Sequence, residues 1–435
     1  MAIISISDSQ VNSADQILVA DASSKIPAKD GSQITVLNAT NVSSGTIATA
    51  RLDTGTAANK IVVLDGSGNL PVVDGSQLTG VVSATISASD PTVSTNPSAG
   101  LGAEWNNSTS GEMYICTDAT AGANVWTNVG AGSGDIAPKP PVQGDQFGYM
   151  SGGENGSSTK TVTTQKYSFT SDGNAVDVSN ITVARVCFGG GTHSATYGYC
   201  AGGNTASDVD VIDKFAFGTT NNSTDVGNLT AAKQYTTGTM DATHGYLSGG
   251  HAGGSAINVI ERYAYASDGD GSDVGDILVA AYVCHTGSSS ETHGYSAGGY
   301  TTSDSNVIQK HAFSSSANAT DVGDLTVAKY ALMGQSSETY GYASGGRGGS
   351  TYYNTIEKWA FASDGNAADT TADLTQSRRY ASSSSSTTHG YCAGGTDTGT
   401  PVYDIIDKFA FANSNNATDV GDTFEDYRYS AGSSY

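Results

Sequence analysis

The sequence predicts an all-β protein built largely from repeats, and three observations carry that expectation. Gly supplies 55 of the 435 residues and charged residues only 14%, while Ser, Thr, Asn and Asp runs separate short apolar clusters. That mixture favours short strands and tight turns over helices. A hydroxyl- and glycine-rich phrase then recurs at a nearly fixed interval, and each recurrence is followed by an alternating aromatic run.

Composition also bounds the partners. Forty-two acidic against 19 basic residues give a formal charge of −23, which repels nucleic acid and anionic lipid at long range and suits solubility at high copy number. The 23 tyrosines are regularly spaced, so the larger part of the chain is expected to fold despite its acidity. Five cysteines without a CxxC pair read as free, strand-buried thiols in a protein made in a reducing compartment. The N-terminal residues lack a basic segment followed by a continuous apolar stretch, and no apolar run is long enough for a transmembrane helix. No membrane insertion is expected.

From the N-terminus, residues 1–85 read as an extended stem with two related repeats. ILVADASSKIPAKDGSQIT from Ile17 returns as IVVLDGSGNLPVVDGSQLT from Ile61. A segment this polar cannot build a core alone and would gain its burial from copies of itself, as a homo-oligomer. Residues 86–132 read as a small β-module, with Trp105, Tyr114 and Trp126 on three short strands joined by Ser-Gly and Ala-Gly-Ala-Asn turns. Residues 133–144 are a linker stiffened by Pro138, Pro140 and Pro141.

Residues 145–435 carry the main repeat. GYMSGG from Gly148 recurs as GYCAGG, GYLSGG, GYSAGG, GYASGG and GYCAGG, with starts 50, 47, 49, 47 and 49 residues apart. Each unit also holds an aromatic strand (QKYSF near Lys166, IDKFAF from Ile212, IERYAY, IQKHAF, IEKWAF, IDKFAF) and most hold a DVGD or DVGN turn. Units of this length cannot bury a core singly. Four short strands per unit predict six blades of a β-propeller. The region begins on the second strand of a unit and its final RYSAGSSY matches a first strand. That offset predicts a ring closed by pairing the last strand with the first blade.

The chemistry-bearing residues repeat with the fold. His244, His293 and His389 all stand just before Gly-Tyr, which distributes them around a ring instead of gathering them at a metal. No paired carboxylate is singled out, so neither catalytic residues nor a cofactor or metal is assigned. Asp268, Asp270 and Asp273 form the richest acidic cluster but lack the closing Glu of a calcium loop. Lys166, Lys214, Arg262, Lys310, Lys358 and Lys408 share one strand position, read as a repeated ion pair or carbonyl contact with a packed stem, with a basic ring for an anionic ligand as the alternative. The connections after each Gly-Gly vary, and they emerge together on one face. RGGSTYYN is the most binding-like of them. Arg347, Tyr352 and Tyr353 offer donors and stacking surface for a sugar or a protein epitope.

Two resemblances follow from these motifs. The Gly-Gly before a turn, the aromatic strand about ten residues on and the basic residue after the DVGD turn resemble kelch-type repeats over residues 143–435, although the Trp those repeats usually carry has no regular counterpart here. The DGSxLTG and SGTIxxARL phrases of the first 85 residues look like the stem or attachment part of tailed-phage tail fibres, and the Trp-Asn…Gly-Glu-x-Tyr-x-Cys…Trp module resembles small β-domains of phage structural proteins. The likeness implies a bacteriophage virion structural protein, assembled in the host cytoplasm. Its stem would bind other virion proteins, a trimer being the implied assembly, and its propeller would attach to a host-surface glycan or protein. Two rivals stand beside that expectation: an architectural component of capsid, tail or baseplate, and a polysaccharide-degrading enzyme.

Overall fold

A computed structural model describes residues 84–129, 142–186, 191–281 and 286–435. The expected stem lies almost wholly outside the described residues, as does most of the linker. Apart from Ala84, the described residues belong to the second of two units, Thr85–Tyr435. Among them every regular element is a strand and no helix occurs.

The small module is one sheet of four strands, Thr85–Ser87, Glu104–Asn107, Met113–Asp118 and Val125–Asn128, in that order. Its first pair is parallel and the rest antiparallel. Alternation buries Tyr114, Cys116 and Trp126. Trp105 meets Trp126 edge-on at 5.9 Å and donates its indole N–H to the Ser89 carbonyl at 2.9 Å.

Beyond Val142 the strands form six antiparallel meanders. Five run in simple chain order, for example Gly191–His193, Tyr197–Ala201, Val211–Ala216 and Thr224–Asn228. The sixth joins distant segments: Ala431–Ser434 pairs with Phe147–Ser151, then Thr163–Ser168 and Val176–Asn180. The first strands of successive meanders touch one another.

The Gly-Tyr phrase has a double packing role. Its glycine lies under the aromatic ring of the next strand. A Cβ on Gly148, Gly245 or Gly341 would stand 2.5–2.7 Å from Tyr167, Tyr263 or Trp359 ring carbons, and Gly198, Gly294 and Gly390 are covered likewise by Phe215, His311 and Phe409. Its tyrosine reaches the following meander and wedges between two aromatics there. Tyr199 meets Tyr263 and Tyr265 at 5.6 and 4.8 Å, and Tyr295 meets Trp359 and Phe361 at 6.4 and 4.8 Å. Tyr391 does the same to Tyr167 and Phe169, at 5.8 and 4.6 Å. Each such pair adds directional attraction to a large apolar area.

Every third strand carries a bulge beside an acid or amide: Gln165, Asp213, Glu261, Gln309, Glu357 and Asp407. A bulge re-aims a side chain. Here each side-chain oxygen accepts a backbone N–H from the segment leading out of the preceding meander: Phe424, Thr182, Thr230, Leu278, Thr326 and Thr375, at 2.7–3.2 Å. Four of the six also hold a buried cation three residues beyond that N–H: Arg185–Asp213 at 2.7 Å, Lys233–Glu261 at 2.6 Å, Lys329–Glu357 at 2.7 Å, and Arg378–Asp407. The other two positions hold Ala281 and Tyr427, and these are the units whose acceptor is Gln309 and Gln165. Charge is thus matched unit by unit. That is what burial demands, since an unpaired ion costs far more than a hydrogen-bonded amide.

His311 occupies the aromatic slot of its unit, and burial, with a smaller push from His293, lowers its pKa from 6.5 to about 4. The unfolded chain then binds the proton more readily than the folded one. His311 therefore contributes stability that is complete above pH 6.5 and lost as pH falls toward 4, roughly 3 kcal/mol for a shift of that size. His311→Phe, which copies Phe215 and Phe409, is expected to flatten this part of the stability profile, as read from urea midpoints between pH 4 and 7.

Candidate binding site

The first strands of the meanders line a cavity of about 100 Å³, walled by small residues such as Gly191, Gly287, Ser288, Gly334, Ser384 and Gly432. Their far ends are joined by one kind of bond. The backbone N–H of Met240, Ser289, Ser336 and Ser385 donates to the hydroxyl of Ser289, Ser336, Ser385 and Ser434 at 3.0–3.1 Å. Ser434 N–H donates to His193 Nδ1 at 3.3 Å, and His193 N–H to Met240 Sδ at 3.3 Å. The chain arrives at this same end: Gln143 donates to the Ser336 carbonyl at 3.0 Å and Gly144 N–H to the Ser385 carbonyl at 2.9 Å. Val142 is buried beside them and lines the cavity.

The near ends of the first strands differ. Ala331, Tyr380 and Tyr429 line the cavity there, and their backbones are linked by Tyr380 N–H to the Ala331 carbonyl and Tyr429 N–H to the Tyr380 carbonyl. Tyr235, Tyr380 and Tyr429 have φ of 59°, 60° and 66°, a left-handed conformation that costs a bulky residue of order 1–3 kcal/mol. The three pack around Val186. Such stored strain clusters at functional sites.

Outward from these residues runs a chain of rings and guanidiniums. Tyr300 meets Tyr330 at 5.5 Å. Arg347 lies 5.9 Å from the Tyr330 ring centre and 5.5 Å from that of Tyr352. Arg379 lies 5.3 Å from Tyr352 and 4.8 Å from Tyr380. Tyr380 meets Tyr429 at 4.5 Å, and Arg428 stacks on Tyr429 at 5.1 Å. All of these side chains are half-buried. Cation–π contacts of this kind fix both partners while leaving edges exposed.

Of the three residues expected to bind, the structure brings Arg347 and Tyr352 together on a short hairpin, Arg347–Gly348 paired with Thr351–Tyr352. The hairpin is anchored by Gly349 N–H to Asp304 Oδ2 at 2.6 Å. Tyr353 turns away, with its ring 5.2 Å from the buried Lys329 ammonium. Sequence reasoning missed Arg379, Tyr330, Tyr380 and Tyr429. Their signal was present in KYA, RRY and YRY, which follow the fourth strands of their meanders; the DVGD and DVGN phrases expected as turns are themselves those strands, as in Thr224–Asn228, Thr320–Asp324 and Thr418–Asp422.

The other candidate residues make contacts within the fold. Lys214, Lys310 and Lys408 pair with Asp268, Asp364 and Asp172 at 2.8, 2.6 and 2.9 Å, while Lys166 and Lys358 lie over Phe147 and Tyr340 at 4.2 and 4.7 Å. Asp268 is thereby engaged, Asp270 accepts Asn228 N–H at 2.9 Å and Asp273 accepts Gly275 N–H at 3.1 Å. His244, His293 and His389 stand in separate meanders, each with Nδ1 2.8 Å from the preceding Thr hydroxyl. Burial first, then Lys310 or Lys408, lowers the pKa of His293 and His389. Cys116, Cys200 and Cys392 are buried free thiols, and burial pushes Cys392 up to about 12. No protein-family model matches the chain, and no curated protein matches it.

Proposed function

We propose that the chain is a tail-fibre-like virion structural protein whose meanders are the six blades of a kelch-like propeller, and that it binds a host-surface glycan without catalysis. The observation that carries this reading is the tyrosine–arginine array at one end of the central cavity. It lies across the first strands from Gln143 and Gly144, where the chain arrives. At about 3.3 Å per residue, a four-residue strand separates the two ends by roughly 10 Å. Support for ring closure comes from the pairing of Ala431–Ser434 with Phe147–Ser151 and from the hydrogen-bond series through His193. Placement of His244, His293 and His389 in three different blades favours binding over metal or acid–base chemistry. Several copies on one particle would raise a modest single-site affinity through effective concentration.

Labelled full chain applied to a glycan array and to bacterial cells tests the reading. Arg347→Ala and Tyr352→Ala are each expected to weaken binding about tenfold or more, the loss typical of a central aromatic or arginine contact, with unchanged melting midpoints. Unaltered binding in both variants would overturn the assignment of the array. Association with other virion proteins and with no glycan or cell would favour the architectural role, and shortening of a bound polysaccharide would favour an enzyme.

A further inference from the structure

Resting on that reading, we infer that the ligand is an acidic saccharide and that Arg347 and Arg379 clamp its carboxylate beside the Tyr352 ring. The charge pattern is the first argument. In a chain of net charge −23, Arg185, Arg378 and Arg428 are each paired with a carboxylate, Asp213, Asp407 and Glu154. Arg262, Arg347 and Arg379 have no carboxylate at ion-pair distance among the described residues; Arg262 stands by the Tyr246 hydroxyl, whereas Arg347 and Arg379, both half-buried, stack on one and the same ring. Each spends only its Nε–H, on the carbonyls of Gly349 at 3.0 Å and Asp397 at 3.2 Å. The terminal nitrogens make no hydrogen bond among the described residues.

Two acids lie close by, and both are turned to other donors. Asp304 takes the Gly349 N–H, and Asp397 Oδ1 takes the backbone N–H and the hydroxyl of Thr398. Two like charges are therefore held against one ring, partly desolvated and without a counter-ion among the described residues, which is costly until an anion arrives. A guanidinium fork matches a carboxylate bidentately. The flanking Tyr330, Tyr380 and Tyr429 rings add stacking surface for the apolar face of a sugar, which a bare anion would not use.

The test is calorimetric titration of the full chain with oligogalacturonate, with its carboxyl-reduced counterpart and with inorganic phosphate. The carboxylated oligosaccharide is expected to bind, more weakly as salt rises. The reduced one should bind at least about tenfold more weakly, as should the acid with Arg347→Gln/Arg379→Gln; Arg379→Lys, which keeps the charge and loses the fork, should fall between. Phosphate at equal concentration should leave binding intact. Equal binding of acid and reduced sugars, or full binding by a folded double variant, overturns the clamp and leaves the array standing as a neutral-glycan site. Displacement by phosphate overturns the saccharide assignment in favour of a simple anion site. No binding of either sugar overturns the clamp, and loss of the array reading as well would require that Arg347→Ala also leave cell binding unchanged.

Discussion

Gly432→Val is expected to abolish folding, and Gly432→Ala to cost about 3 kcal/mol or more, the upper end for overpacking a rigid site. The reason is local. A Cβ at Gly432 would overlap the Ser383 carbonyl oxygen and stand 2.9 Å from Ser382 Oγ. Both neighbours belong to a strand fixed on its other side by Ser382–Ala393 to Ser385–Gly390 pairing. Gly191 and Gly287 meet the backbone of Gly432 and Gly238 in the same way, so the strands around the cavity approach each other only because this row is nearly free of side chains. Gly218→Ala is the control, because a Cβ there meets nothing within 4 Å. Urea midpoints of the three variants check the expectation, and equal midpoints for Gly432→Ala and Gly218→Ala would refute it.

Lys233→Met is expected to cost about 3–5 kcal/mol, because it leaves Glu261 buried without its cation. Glu261 is fully buried, with Lys233 at 2.6 Å and Thr230 donating its backbone N–H at 2.8 Å and its hydroxyl at 2.6 Å. Lys233→Met/Glu261→Gln should recover most of that loss, since glutamine keeps the acceptor for Thr230 and removes the stranded charge. The protein already contains this solution twice, at Gln309 and Gln165, where the amide accepts the corresponding N–H at 2.7 Å. A double-mutant cycle measures the coupling. A double variant as unstable as the single one would show that the pair acts through packing of the lysine stem and not through charge.

Much of the fold was legible because the repeat exposes its own constraints. The glycine of Gly-Tyr, the aromatic strand and the DVGD phrase recur with a spacing that leaves few alternatives to meandering sheets, although the DVGD phrase is a fourth strand and not the turn it was expected to be. The function of each repeated residue was less legible. Period-two alternation says that Asp213 and Phe215 share a face, yet it gives no hint that a bulge beside Asp213 aims its carboxylate at Thr182 and Arg185 in the segment before it. The row of basic residues at position 214 and its equivalents points to ion pairs, but the partner of Lys214, Asp268, is 54 residues away, and no local pattern connects them. The tyrosine–arginine array fell between these cases. Arg347 and Tyr352 stood out as a variable loop, whereas Tyr380 and Tyr429 look like ordinary strand residues until their left-handed backbones are seen.

The strand Ala431–Ser434 has a consequence for synthesis. Its partner, Phe147–Ser151, leaves the ribosome 280 residues earlier, and at about 5–20 residues per second that interval is on the order of tens of seconds. During it, the five meanders made of consecutive strands can settle, but one edge must wait uncapped. An edge of that kind is open to the wrong neighbour, which makes crowding of nascent copies, more than loss of any single contact, the condition under which this chain would be expected to aggregate.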